Sequence, residues 1–119
     1  MKKLLILLLA FPALTAWAGE ADVVQVELKQ TTAATYRFEV TLQHADTGWK
    51  HYANKWEIVG PKDEILGTRI LYHPHVNEQP FTRSLSDVRI PDGVSMVRIR
   101  AHDLIHGYGG KEVTVQVPR

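Results

Sequence analysis

The sequence predicts an all-β chain folded as one two-sheet antiparallel sandwich. Three observations carry that prediction. Apolar and polar residues alternate with period two in segment after segment, no stretch of residues 19–119 keeps a capped 3.6-residue apolar period, and turn-forming residues punctuate the chain at short intervals.

The first strand is expected around Val24, Val26 and Leu28. The second is the clearest, with Tyr36, Phe38, Val40 and Leu42 on one face and Arg37, Glu39, Thr41 and Gln43 on the other. Trp56 and Ile58 mark the third, which ends at the turn signal Gly60-Pro61-Lys62-Asp63. Less regular runs at Ile65 to Tyr72 and Leu85 to Ile90 supply the fourth and fifth. After Pro91-Asp92-Gly93, Val97, Ile99 and Ala101 form the sixth, and Val113, Val115 and Val117 the seventh. About seven short strands with such turns read as an immunoglobulin-like antiparallel β-sandwich.

Ahead of this domain stands MKKLLILLLAFPALTAWAGE. Lys2 and Lys3 precede an apolar run from Leu4 to Phe11, and Ala16-Trp17-Ala18 places small residues at the two positions that direct cleavage. Residues 1–18 are therefore expected to be a secretory signal peptide and residues 19–119 the mature domain, periplasmic or secreted. The apolar run is too short to span a bilayer, so no membrane partner is expected. Removing Lys2 and Lys3 turns a formal charge of +1 into −1. A near-neutral domain without a basic run gives no electrostatic reason to bind nucleic acid.

Cysteine is absent. An exported domain of this size must then hold together through its apolar core, and thiol nucleophiles, thiolate metal ligands and redox disulfides are excluded. No glycine-rich loop leads from a strand into a helix, so no nucleotide cofactor is expected. His106, Asp103 and Ser84 could be assembled into an acid–base set, but they follow no recognised nucleophile–base order and no oxyanion hole accompanies them. The expectation is a non-catalytic protein.

Strand direction sharpens the functional reading. Consecutive antiparallel strands reverse, so connections fall alternately at the two poles of a sandwich. One pole receives 30–34, 60–64 and 91–95. The other receives 44–53, 73–83 and 103–110, and all six histidines lie within or beside that second set. Neutral imidazole is the commonest protein metal ligand, and several histidines with a carboxylate suit copper, zinc, iron or nickel. The expected ligands of a transition metal ion are His51, His73, His75, Glu78, His102 and His106, with His44 the least expected of the six histidines.

Local spacing leaves alternatives open. Extended backbone would put His73 and His75 on one face, whereas a polyproline turn at Pro74 would splay their rings. His102 and His106 converge only if the loop between them folds back, which Gly107, Gly109 and Gly110 permit. Glu78 and Arg83 read as a pair that braces their loop, Phe81 as a plug for the core, and Trp56 as a core residue. Trp49 and Tyr108 beside glycines read as an exposed aromatic rim that could hold a protein partner instead of, or beside, a metal.

The stretches GWKHYANKWEIVG, LGTRILYHPHVNEQPFTRSL and RAHDLIHGYGG together resemble a family of small exported bacterial proteins without an assigned activity. A weaker resemblance is to the iron-binding domain of superoxide reductases, an immunoglobulin-like sandwich with a His-Pro segment, a later Glu-His pair and a Cys-x-x-His-Gly segment. His73-Pro74, Glu78-Gln79 and Asp103-Leu104-Ile105-His106-Gly107 stand in similar order. Gln79 replaces a ligand histidine there and Asp103 the iron-tuning thiolate. The resemblance implies a metal at this pole, and keeps a small iron or copper oxidoreductase as a third reading.

Overall fold

The computed structural model describes residues 19–119, and the expected signal peptide lies outside them. Seven strands follow in order: β1 (Asp22–Gln30), β2 (Thr35–Gln43), β3 (Ala53–Val59), β4 (Ile65–Ile70), β5 (Phe81–Arg89), β6 (Met96–Asp103) and β7 (Val113–Gln116). They make two antiparallel sheets, one ordered β1-β2-β5 and the other β4-β3-β6-β7. The expected all-β sandwich is what the chain forms, and each expected strand is present. In the constant-type immunoglobulin arrangement the fourth strand joins the first, second and fifth. Here β4 pairs with β3, so the sheets hold three and four strands.

Alternation explains the layers. Tyr36, Phe38, Val40 and Leu42 are fully buried while Arg37, Glu39 and Thr41 between them are not. Across the sandwich they meet Trp56 and Ile58 of β3 and Val97, Ile99 and Ala101 of β6, all buried in one cluster. Each such aliphatic side chain contributes about 1.5–3 kcal/mol on leaving water. Without disulfides, that cluster is what opposes chain entropy.

The first strand departs from its simple reading. Val24 is exposed, whereas Val23 is fully buried, because the register shifts between Val23 and Gln25. Val23 pairs with Leu42 and Gln25 with Thr41, leaving Val24 as the extra residue of a bulge. Both Val23 and, beyond the bulge, Val26 thereby reach the core.

At the pole opposite the histidines, Tyr36 Oη donates to Pro118 O at 3.0 Å and ties the C-terminal arm to the core strand. Tyr36→Phe keeps the ring and removes that bond. It should lower the unfolding free energy by about 1 kcal/mol, measured by urea denaturation with an unchanged m-value.

Candidate functional site

The antiparallel path does gather the three long connections at one pole, and a buried polar group closes the core there. Two residues form it by continuing an inward face one step past its last apolar member. His44 follows Leu42 at the end of β2, and Asp103 follows Ala101 at the end of β6; both side chains are sealed from solvent. His44 Nε2 lies 2.8 Å from Asp103 Oδ2. Its Nδ1 faces Asp46 Oδ1 in a short hydrogen bond.

Asp46 is itself fixed by backbone. The N–H of Ala53 donates to Oδ1 at 3.1 Å and the N–H of His75 to Oδ2 at 2.7 Å, so this carboxylate ties the first loop to the second. Asp103 accepts from the N–H of His106 through Oδ1, and through Oδ2 it also meets His51 Nε2 at 3.2 Å. Gly107 (φ +67) adopts the left-handed conformation glycine favours. The loop folds back there, with Asp103 and Gly107 exchanging both backbone hydrogen bonds at 3.1 Å. All three connections are thus laced together through two aspartates.

Electrostatics follow from the geometry. Burial disfavours the His44 imidazolium, yet the hydrogen bonds and charges of Asp46 and Asp103 outweigh it, and the His44 pKa is raised above the ordinary imidazole value. Burial likewise pushes both carboxyls up. For Asp46 the bonds from His44, His75 and Ala53 overcome it, and for Asp103 those from His106, His44 and His51, so both lie below the ordinary carboxylate range. With both ring nitrogens facing carboxylates, the charged form of His44 is the one these neighbours favour.

Three groups at this pole could hold a metal ion together: His44, His51 and Asp103, whose ligand atoms all lie within 4.8 Å of one another. The His51 ring stands 4.8 Å from that of His44 and 5.2 Å from that of His106, which is exposed. Of the residues expected from the sequence, His51 is therefore a member of the group and His106 borders it.

His73, His75 and Glu78 gather elsewhere on the pole. The buried His75 ring stacks on Phe81 at 4.0 Å, and the His73 ring lies 4.8 Å from it. Arg83 donates to His75 Nε2 at 2.9 Å and to Glu78 Oε1 at 3.2 Å, the brace expected between Glu78 and Arg83. Burial, reinforced by Arg83 and His73, lowers the His75 pKa. His75 reaches the His44 group through its backbone N–H on Asp46, through Gln79, which accepts from the His44 N–H at 3.0 Å and donates to His75 O at 2.9 Å, and through an Nδ1 that stands 4.0 Å from Asp46 Oδ2.

His102 is separated by alternation. It precedes Asp103 on β6 and so faces outward, with Nδ1 bonded to Asn54 Oδ1 at 2.6 Å and its ring 4.8 Å from that of Tyr108. Burial followed by the charge of Lys55 lowers its pKa. On the same outer face Glu57 is buried but satisfied, accepting from Arg100 Nε at 2.9 Å and Tyr108 Oη at 3.0 Å. The six expected ligands thus fall in three places rather than around one point.

Two members of the compact group were missed or discounted from sequence. His44 was the least expected histidine, and Asp103 was read as a stand-in for a thiolate or part of an acid–base set. The signal was present, however. Period-two continuation of Leu42 to His44, and of Ala101 to Asp103, points both side chains inward.

A search of known proteins finds one from Halomicrobium mukohataei, bearing the name "Putative lipoprotein", that is 41% identical over 96 residues. That stretch is 81% of this chain. It is 47% of the relative: the chain spans about half the length of the curated relative it matches. No family model and no solved structure matches the chain at a significant level. Among the described residues, no helix is long and apolar enough to cross a membrane.

Proposed function

We propose that this chain is an exported, periplasmic β-sandwich protein that binds one transition metal ion (copper, zinc, iron or nickel) through His44 Nε2, His51 Nε2 and an Asp103 oxygen. The observation that carries the reading is the convergence of these three atoms together with the bond behind the first of them. Asp46 holds Nδ1 of His44 and so aims Nε2 into the group. A carboxylate behind a ligating histidine is the arrangement that orients such ligands and raises their basicity.

The donor set fits. Ligands about 2.1 Å from a tetrahedral ion stand about 3.4 Å from one another. His51 Nε2 and Asp103 Oδ2 are already 3.2 Å apart, the 2.8 Å between His44 and Asp103 needs to widen by about 0.6 Å, and the two imidazoles, with all three ligand atoms within 4.8 Å of one another, need to close on the ion. In the metal-free protein a proton on His44 Nε2 does part of the work the cation would do, offsetting one of the two negative charges of Asp46 and Asp103. His106 stands at the open side, where exchange with solvent occurs. Two histidines and one carboxylate leave coordination positions for further ligands. Export is supported by the leader pattern of residues 1–18 and by the name of the relative.

Elemental analysis of untagged protein should find close to one metal per chain, and His51→Ala should lose it. Retention by that variant, or no metal in the parent protein after loading and desalting, sinks the reading. Asp46→Asn leaves every ligand in place but weakens the support of His44. Its metal affinity should fall about 10- to 100-fold by competition with a chromophoric chelator.

A protein partner at the same pole is favoured by one separate observation. Trp49 is 66% exposed, Tyr72 75% and Ile105 60%, an unusual share of large apolar side chains for one set of loops. Trp49 and Val76 line one open depression beside His73. This reading predicts that Trp49→Ala abolishes association with a partner and leaves metal content unchanged.

A further inference from the structure

The start of the mature chain lies inside the same group. Gly19 O is 3.1 Å from His44 Nε2, and a Cβ built on Gly19 would stand 2.6 Å from His106 Nε2. Residues 19–23 are held there by the third loop. A Cβ on Gly109 would meet Glu20 Cγ at 3.1 Å, and one on Gly110 would meet Ala21 O at 2.0 Å, an overlap no backbone could accept. Val23 N–H donates to Lys111 O at 2.9 Å and Lys111 N–H to Asp22 Oδ1 at 2.7 Å. The Gly109-Gly110 pair is thus a backbone-width seat for this segment, which delivers Gly19 to His44 and His106. Gly19 is also the first residue after the Ala16-Trp17-Ala18 cleavage pattern.

We propose that cleavage after Ala18 creates a metal ligand, the α-amino nitrogen of Gly19, which binds the ion held by His44, His51 and Asp103. The inference rests on the metal reading given above. Hydrolysis of the Ala18–Gly19 amide consumes one water, leaving Ala18 with the new carboxylate and Gly19 with the new amine. Before cleavage the nitrogen is a planar amide whose lone pair is delocalised into the carbonyl, a poor donor to metal. Afterwards it is an amine whose lone pair is free once its proton is displaced. The amine and Gly19 O together can close a chelate ring beside His44 and His106. Removal of the leader thus completes the site, and the protein takes up its ion tightly only after export.

The test compares three proteins titrated with copper(II) alone: mature protein beginning at Gly19, the same protein with Ala18 retained ahead of Gly19, and mature Asp103→Asn. Loss of a group behind a ligand commonly costs about 10-fold or more, and loss of a direct ligand should cost no less. The Ala18-extended protein should therefore bind at least about 10-fold more weakly than the mature one. Nitrogen-15 labelling of glycine should change the copper superhyperfine pattern in the mature protein and leave the extended one unchanged. That spectroscopic result separates ligation from simple obstruction. Equal affinity and identical spectra in mature and extended proteins, with binding lost in Asp103→Asn, would overturn the amine ligand while the side-chain site stands. Absence of specific binding in all three would overturn both.

Discussion

Asp103→Asn is expected to remove metal binding and to destabilise the metal-free protein by about 3–5 kcal/mol, the cost of leaving one member of a buried ion group without its counter-charge. The reason lies in how much one carboxylate does. Its Oδ2 faces His44 and His51, its Oδ1 accepts from His106, and its side chain is sealed at the end of the core. Asparagine fits the space but brings a neutral amide against His44, which then has only Asp46 to hold its charge. Chemical denaturation gives the stability change, and chelator competition gives the affinity. A variant within 1 kcal/mol of the parent protein would show that the His44–Asp103 pair contributes little. By contrast, Glu78→Ala breaks an exposed pair with Arg83 and should fall below about 1 kcal/mol.

The second large effect is a crossing of two pH dependences. His44 has a raised pKa in the fold, so the stability it contributes is fully present below its unfolded value, about 6.5. That contribution is lost as pH rises through the folded value. Asp46 and Asp103 have lowered values, so their contribution is present above the ordinary carboxylate range and lost as pH falls through their folded values. His75 and His102 have lowered values, so their contribution is lost as pH falls below about 6.5. The metal-free protein should therefore be most stable near that value and lose stability as pH rises above it through the folded value of His44. A metal ion competes for the same His44 nitrogen, so its affinity rises over that interval as protons leave. The increment it adds to the melting temperature grows with affinity at fixed excess of metal. Melting curves collected across pH, with chelator and with metal, should diverge toward alkaline pH. Parallel curves would mean that proton and metal do not share a site.

Much of the fold was legible because a sandwich writes its layers into the chain. Tyr36 to Gln43 alternates so regularly that its inward face could be assigned directly, and the same pattern names the buried members of β3 and β6. What was illegible in β1 was the bulge at Val24, since the same run of valines can be threaded in either phase until a partner strand fixes it. The gathering of loops at one pole followed from strand direction alone. Which histidines meet within that pole did not, because loop conformation depends on contacts distant in sequence, such as Asp46 reaching the His75 N–H and Gly110 receiving Ala21. His102 and Asp103 illustrate the finer rule: neighbours on a strand face opposite ways, so one is committed to the core group and the other to Asn54 and Tyr108.

His44 and Asp103 are sealed in the core, while His51 and His106 reach solvent. A lineage that ceased to need the ion could not discard the buried pair one residue at a time without passing through a chain that folds poorly. Drift would instead erase the outer imidazoles first. On the proposed metal reading, descendants that keep His44 and Asp103 but vary at positions 51 and 106 would retain the footing of the site without its use.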